Sequence, residues 1–262
     1  VIIAIQNPKA ERRKALLDEC IELKIKVQKV PNPKSWINGE FSSKQFVKAK
    51  IEDLLGREEI KLSESKIKES INDKVVLVTG AAGSIGSGLV KQIANFKPKL
   101  VILFDQAESA LYDLQWDLKD EVPELNYEIV IGDVTHKMRV RNLIKSFRPQ
   151  IIFHAAAYKH VPLMELNPSE AVKTNVLGTK ILADISVEFN VEKFIFISTD
   201  KAVNPTNVMG ATKRASEIYV QYTNANSNTQ FITTRFGNVL GSNGSVIPLF
   251  QKQIENGGPI TI

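Results

Sequence analysis

Two stretches of this chain carry residues able to do chemistry: a strand that breaks into glycines, and a strand that ends in a hydroxyl, a carboxylate and an amine. The run Lys74-Val-Val-Leu-Val-Thr-Gly-Ala-Ala-Gly-Ser-Ile-Gly86 reads as a buried strand, Val75 to Val78, then Gly80, Gly83 and Gly86, then a helix with Ile85, Leu89 and Ile93 at helical spacing. Such a turn lays a dinucleotide pyrophosphate against backbone N–H groups, with Ser84 and Ile85 in the helix's first turn. A second apolar run, Leu100 to Phe104, ends in Asp105 about twenty residues beyond the last glycine, where a carboxylate can accept both ribose hydroxyls. This favours NAD over NADP, because a 2′-phosphate would want an arginine and Gln106-Ala107-Glu108 offers none. Further on, the strand Phe194 to Ile197 runs into Ser198-Thr-Asp-Lys201, and the next helix brings Lys213 to the same cleft. Thr199, Asp200, Lys201 and Lys213 can together donate, accept and steer protons. Taken alone, Asp200 and Lys201 would also suit a solvated surface ion pair.

The elements that must position these groups follow from the apolar pattern. Strands near Val75, Val101, Ile129, Ile151, Phe194 and Phe231, with helical segments between them, predict an α/β doubly wound parallel sheet of Rossmann type. Asp133 and Val134 close the third of these strands, and His154-Ala-Ala-Ala157 follows the fourth. Ahead of this domain, Val1 to Ile5, a helix around Leu16, Leu17, Cys20 and Ile21, and Lys24 to Val30 form a β-α-β piece too small to cover its own sheet. Residues 1–35 therefore read as the tail of a preceding α/β domain, and 36–72 as a charged, helical connector with Ile51, Leu54 and Leu55 as its apolar stripe. The abrupt end at Gly257-Gly-Pro-Ile-Thr-Ile262 suggests a fragment.

Composition narrows the classes. A chain of 262 residues with 43% hydrophobic and 24% charged content can bury a full core. One cysteine excludes internal disulfides and cysteine zinc sites, and His136, His154 and His160 are too dispersed to argue for a metal. A net charge of +5 from scattered lysines, without interleaved aromatics, argues against nucleic acid as a partner. No apolar stretch reaches the roughly 18 residues a bilayer demands, and no secretory signal opens the chain. A cytoplasmic setting without membrane contact from this segment is expected.

The glycine spacing of three and three resembles the T-G-x-x-G-x-x-G of the short-chain dehydrogenase/reductase superfamily. That resemblance implies that Asp133 and Val134 face the adenine and that Ala155 and Ala156 pass beneath the ribose and nicotinamide. It also implies a Tyr-x-x-x-Lys pair in the helix after the fifth strand, with the lysine on the nicotinamide ribose. Here the lysine is Lys213 and the tyrosine position is Met209, whose thioether cannot shuttle a proton.

With this departure, five motifs in order resemble the extended-superfamily UDP-N-acetylglucosamine 4,6-dehydratases of bacterial polysaccharide biosynthesis, closest to the large, capsule-type subgroup. They are Ser198-Thr-Asp-Lys201, Lys159-His-Val-Pro162, Asn167-Pro168, Lys173-Thr-Asn-Val-Leu-Gly-Thr179 and Arg235-Phe-Gly-Asn-Val-Leu-Gly-Ser-Asn-Gly-Ser-Val246. The resemblance implies that residues 73–262 form an NAD-binding dehydratase domain cut short before its last substrate-binding part. It implies a UDP-sugar as substrate and partner, Lys201 removing the C5 proton, Asp200 protonating the departing C6 hydroxyl, and Thr199 on the C4 oxygen. Met209 counts with them at the catalytic position, and Lys159, His160, Asn175 and Asn238 are candidate substrate contacts, Asn175 at the helix position that in the superfamily binds backbone and water near the active site. A homo-oligomer is expected, lying at the cytoplasmic face of the inner membrane if transmembrane helices precede this segment, as in that subgroup. A UDP-sugar 4-epimerase would share the fold but needs no C5 base. A non-catalytic dinucleotide sensor would need neither Asp200 nor Lys201.

Overall fold

A computed structural model describes residues 1–5, 10–23, 25, 27–30, 47–48, 63–237, 239, 250, 252–253 and 256–259. By its internal contacts the chain divides into two compact units, Val1–Leu62 and Ser63–Ile262. In the first, β1 (Ile2–Ile3), α1 (Ala10–Glu22), β2 (Gln28–Lys29) and β3 (Val47–Lys48) are described. β1 and β2 pair in parallel around α1, whose Leu17 and Cys20, three positions apart, are buried while Leu16 is exposed. The expected connector is not uniformly helical, because Val47–Lys48 pairs antiparallel with Gln28–Lys29 as a third strand. Backbone pairing to a waiting strand edge overrides the weak helical propensity of a charged segment. The expected stripe of Ile51, Leu54 and Leu55 lies outside the described residues.

The second unit opens with α2 (Glu64–Ile71), whose Ile71 joins its core. Six strands follow: β4 (Val75–Thr79), β5 (Leu100–Asp105), β6 (Tyr127–Ile131), β7 (Ile151–His154), β8 (Lys193–Thr199) and β9 (Gln230–Phe236). They form one sheet in the order β6-β5-β4-β7-β8-β9, parallel throughout. The doubly wound fold expected from the sequence is therefore the fold observed, with each of the six expected strands in place.

Alternation along each strand feeds two apolar layers. Val76, Val78, Val101 and Leu103 face one side, packed with Val90 and Ile93 of α3 (Ser84–Ala94) and Leu111, Leu114 and Leu118 of α4 (Glu108–Glu121). Leu77, Ile102 and Phe104 face the other, with Val140, Leu143 and Ile144 of α5 (Lys137–Phe147) and Leu182 and Ile185 of α8 (Thr179–Glu188). After β7 the chain passes through α6 (Val161–Leu166), α7 (Pro168–Ala171) and a π-helical stretch, Val172–Gly178, into α8. A 3₁₀ turn, Asp200–Ala202, separates β8 from α9 (Val208–Ala225). Among the described residues no helix is long and apolar enough to cross a membrane.

Two glycines permit the close packing on which the β4–α3 turn depends. Gly80 has φ +67°, and a Cβ there would sit 2.5 Å from the backbone N of Ala156. Gly86 brings α3 against the turn, where a Cβ would lie 2.0 Å from the Gly80 carbonyl oxygen. Gly88, two residues on, has open space around it. Gly86→Ala is therefore expected to lower unfolding free energy by about 3 kcal/mol or more, because backbone must move. Gly88→Ala should raise it by about 0.5–1 kcal/mol through helix propensity alone. Urea titrations of the two variants check this; similar effects in both would remove the packing argument.

Candidate active site

Strand order reverses between β4 and β7, and in an open parallel sheet that point leaves a crevice beyond the carboxyl ends of the strands. A cleft of about 250 Å³ lies there. Of the residues expected to hold a dinucleotide, Gly80, Gly83, Asp105, Asp133, Val134, Ala155 and Ala156 line it. Ser84, Ile85, Gly86 and Lys213 do not: the first turn of α3 lies behind the glycine turn, Gly86 is buried against Gly80, and Lys213 is itself buried. The walls also include Ala82, Gln106, Ala107, Gly132 and Tyr158, which are not among the expected site residues but stand next to ones that are or, for Ala107, just beyond Gln106.

Asp105 joins two sides of the cleft. Its Oδ2 accepts the backbone N–H of Ala82 at 3.0 Å and its Oδ1 that of Ala107 at 3.0 Å. Each oxygen keeps a further lone pair, so the carboxylate remains able to accept ribose hydroxyls. Asp133 accepts the Thr135 N–H through Oδ1 at 2.8 Å, holding the turn from β6 into α5.

Beneath the carboxyl edge lies a buried imidazole. His154 ends β7 and is fully buried, with Nδ1 2.7 Å from Thr79 Oγ1 and Nε2 2.9 Å from Thr179 Oγ1. Thr179 already donates its hydroxyl hydrogen to the Asn175 carbonyl at 2.6 Å. It must therefore accept from Nε2–H, which leaves Nδ1 to accept from Thr79 and makes His154 the neutral Nε2–H tautomer. Burial, with the Lys213 charge adding to it, pushes the imidazole down to about 3.

Lys213 is one turn along α9 from Met209 and is itself buried, with Nζ 4.1 Å from the Phe196 ring centre. Burial pushes its ammonium down to about 7, and the Glu217 carboxylate offsets only part of that. Four residues further along the helix, Glu217 is in the opposite condition. Burial would raise its carboxyl, but hydrogen bonds from Arg235, Ser198 and Arg214 outweigh this and hold it at about 2. Neither Glu217 nor Arg235 is among the site residues expected from the sequence; the spacing of four from Lys213 is the sequence signal for Glu217, and Arg235 stands only as the first residue of the last motif.

The segment from Thr199 to Lys201 turns out of β8 at the same edge. Thr199 Oγ1 donates to Asp200 Oδ1 at 2.9 Å and accepts the Lys201 N–H at 3.4 Å, while Lys201 Nζ lies 3.3 Å from Asp200 Oδ1. The Thr199 hydrogen bond, then the Lys201 contacts, hold the exposed Asp200 carboxyl below its usual range.

Other expected residues fall elsewhere. Met209 is buried with Met164 and Ala171, and Tyr158 packs on that cluster, so its surroundings are those of a packing residue. Asn175 was expected at the substrate, but it has no exposure and its amide is spent inside the protein. It accepts Tyr158 N–H at 2.9 Å and donates to Tyr158 O and Thr212 Oγ1, both at 3.0 Å. It thereby pins the loop that ends the cleft wall through its backbone, as the superfamily position implies, and this corrects the expected substrate contact. Lys159 and His160 are exposed just beyond that loop. Asn238 lies outside the described residues.

The model of the polysaccharide biosynthesis protein family matches residues 76–262. The chain belongs to that family. Over its full length it is 45% identical to the capsular polysaccharide biosynthesis protein CapD of Staphylococcus aureus, and it covers 44% of that protein. Across 72% of the chain it is 41% identical to a UDP-N-acetylglucosamine 4,6-dehydratase (inverting) of Campylobacter jejuni, covering 57% of it. The X-ray structure of Pen from Bacillus thuringiensis shares the fold with a TM-score of 0.69 and 38% identity, over 73% of this chain and 60% of that one. The chain thus spans about half the length of the curated relatives it matches. The family expected from the motifs is the family found.

The burial of Lys213 has a consequence for stability. Its folded value near 7 lies below the ordinary 10.5, so between those values the unfolded chain binds more protons than the folded one. The folded state is penalised at low pH, and the penalty fades as pH rises through that window. Lys213→Met should therefore melt above the parent protein at pH 6, with the difference narrowing by pH 10. Melting curves at the two pH values check this; a constant difference would mean that Lys213 is solvated.

Proposed function

We propose that this chain carries the catalytic domain of an NAD-dependent nucleotide-sugar 4,6-dehydratase acting on a UDP-N-acetylhexosamine, UDP-N-acetylglucosamine foremost, for surface polysaccharide synthesis. The observation that carries this reading is the Asp200–Lys201 pair beside Thr199, on the turn that leaves β8 at the same sheet edge as the dinucleotide-type cleft. An epimerase has no use for a base at C5, and a sensor has no use for the pair at all. The Campylobacter relative, a UDP-N-acetylglucosamine 4,6-dehydratase, supports the same substrate class.

The cleft fits NAD: a Cβ at Gly80 would strike Ala156, so the turn approaches the wall only as glycine, and Asp105 offers its free lone pairs across from it. NAD held there would supply the hydride acceptor for C4 and the hydride donor for C6, which would make the reaction redox-neutral. Lys213 would hold the nicotinamide ribose, and its charge would favour loss of the C4 hydroxyl proton to an acceptor outside this set of residues. Thr199 hydrogen-bonds the C4 oxygen, Lys201 in its amine form removes the C5 proton, Asp200 protonates the leaving C6 hydroxyl, and C5 takes a proton back as the hydride reaches C6. Asp200 must be protonated for that task. The donors that keep it ionised, Thr199 Oγ1 and Lys201 Nζ, are the groups assigned to the sugar, so substrate binding draws them away and lets the carboxyl take up a proton.

The full-length protein incubated with UDP-N-acetylglucosamine and NAD should yield a product lighter by one water in mass spectrometry. A product of unchanged mass and inverted C4 would instead favour the epimerase. Lys201→Ala should lower kcat by roughly 100-fold or more, with reduced cofactor accumulating in stopped-flow absorbance. Ordinary turnover in that variant would dismiss Lys201 as the C5 base. Fluorescence titration should show NAD binding more tightly than NADP, with the preference shrinking in Asp105→Ala; unchanged preference would remove Asp105 from cofactor selection.

A further inference from the structure

Glu217 has no step in the reaction proposed above and no exposed surface. Its Oε1 accepts Ser198 Oγ and Arg235 Nε, both at 2.7 Å, and its Oε2 accepts Arg235 Nη2 at 2.6 Å and Arg214 Nη1 at 3.0 Å. A buried ion pair contributes little net stability beyond an apolar contact of the same volume, because desolvation offsets the attraction. What it does impose is direction, since charge-assisted hydrogen bonds on both carboxylate oxygens tolerate few arrangements of their donors. These donors come from three elements. Ser198 is on β8, Arg235 is its register partner on β9, and Arg214 is on α9 with Glu217 itself.

The position of Ser198 makes the arrangement more than a brace. It immediately precedes Thr199, so its hydroxyl ties Glu217 to the backbone at the point where β8 becomes the Asp200–Ala202 turn. On the far side of the turn, α9 presses directly on Lys201: a Cβ at Gly210 would lie 2.4 Å from the Lys201 carbonyl oxygen. The turn is thus held before its first residue by a carboxylate and under its second by helix backbone.

We propose that Glu217 is a positioning residue, which through Ser198 sets the orientation of the Thr199–Asp200–Lys201 turn. The functional consequence rests on the dehydratase reading; the structural one does not. Removing Glu217 itself would leave Arg214 and Arg235 facing each other uncompensated and would confound folding with position, so the test acts on Ser198.

Hydrogen–deuterium exchange of the full-length protein, without cofactor or substrate, is compared for the parent and Ser198→Ala. Exchange across residues 199–203 should rise by about tenfold or more, while β4 and α3 keep their protection. With NAD and UDP-N-acetylglucosamine, kcat should fall by about tenfold or more while the NAD Kd stays within about threefold, and Ser198→Thr, which retains the hydroxyl, should recover kcat. Unchanged exchange across 199–203 in Ser198→Ala, or a loss of kcat that Ser198→Thr does not recover, would overturn the proposal. A parent enzyme that releases no water from the substrate would sink the dehydratase reading instead, and the exchange comparison would still decide the role of Glu217.

Discussion

Parallel pairing of β4 with β5 on one side and β7 on the other is the constraint from which the rest of the second unit follows. Because every strand of the sheet points the same way, every catalytic candidate that ends a strand arrives at one edge. Because the order reverses at β4 and β7, the loops there diverge and leave a crevice. The glycine turn after β4, Asp105 after β5, Asp133 after β6, the alanines after β7 and Thr199 to Lys201 after β8 are consequences of that single arrangement. It survives only while the β4 turn and the Ala155–Ala156 segment touch, which is the reason Gly80 has no side chain.

Around that edge the protein buries polar and charged groups in three different ways. His154 is neutral and saturated, with a threonine hydroxyl at each ring nitrogen. Glu217 is charged and saturated, with two arginines and a serine on its oxygens. Lys213 is buried with an aromatic face beneath it, and its ammonium is weakened toward neutrality. The first two arrangements satisfy every polar atom and so hold geometry. The third leaves donors whose hydrogen bonds a ligand can complete. Rigidity from saturated groups beside one unsaturated group is the arrangement a preorganised site needs.

Much of this was legible before any coordinates. The continuous apolar runs at Val75 and Leu100, one followed by glycines and the other by Asp105, read as buried strands, since a short run bounded by such residues satisfies both pattern and turn chemistry. Asn175 was misread because its surroundings come from Tyr158 and Thr212, which lie 17 and 37 positions away in sequence. Val47–Lys48 was misread because strand pairing with Gln28–Lys29 depends on a partner edge and not on local composition.

The sequence by itself determined the sheet type, the glycine turn, the family and the residue types able to move protons, because continuous apolar runs, glycine spacing and contiguous motifs are properties of neighbours along the chain. Only the tertiary structure decided which of those residues share an edge, that the Asn175 amide is spent inside the protein, that Met209 is buried in an apolar cluster, and that Glu217 joins β8, β9 and α9. Burial and hydrogen-bond saturation depend on what arrives from distant segments, and they decide whether a polar side chain is held for the fold or left open for chemistry.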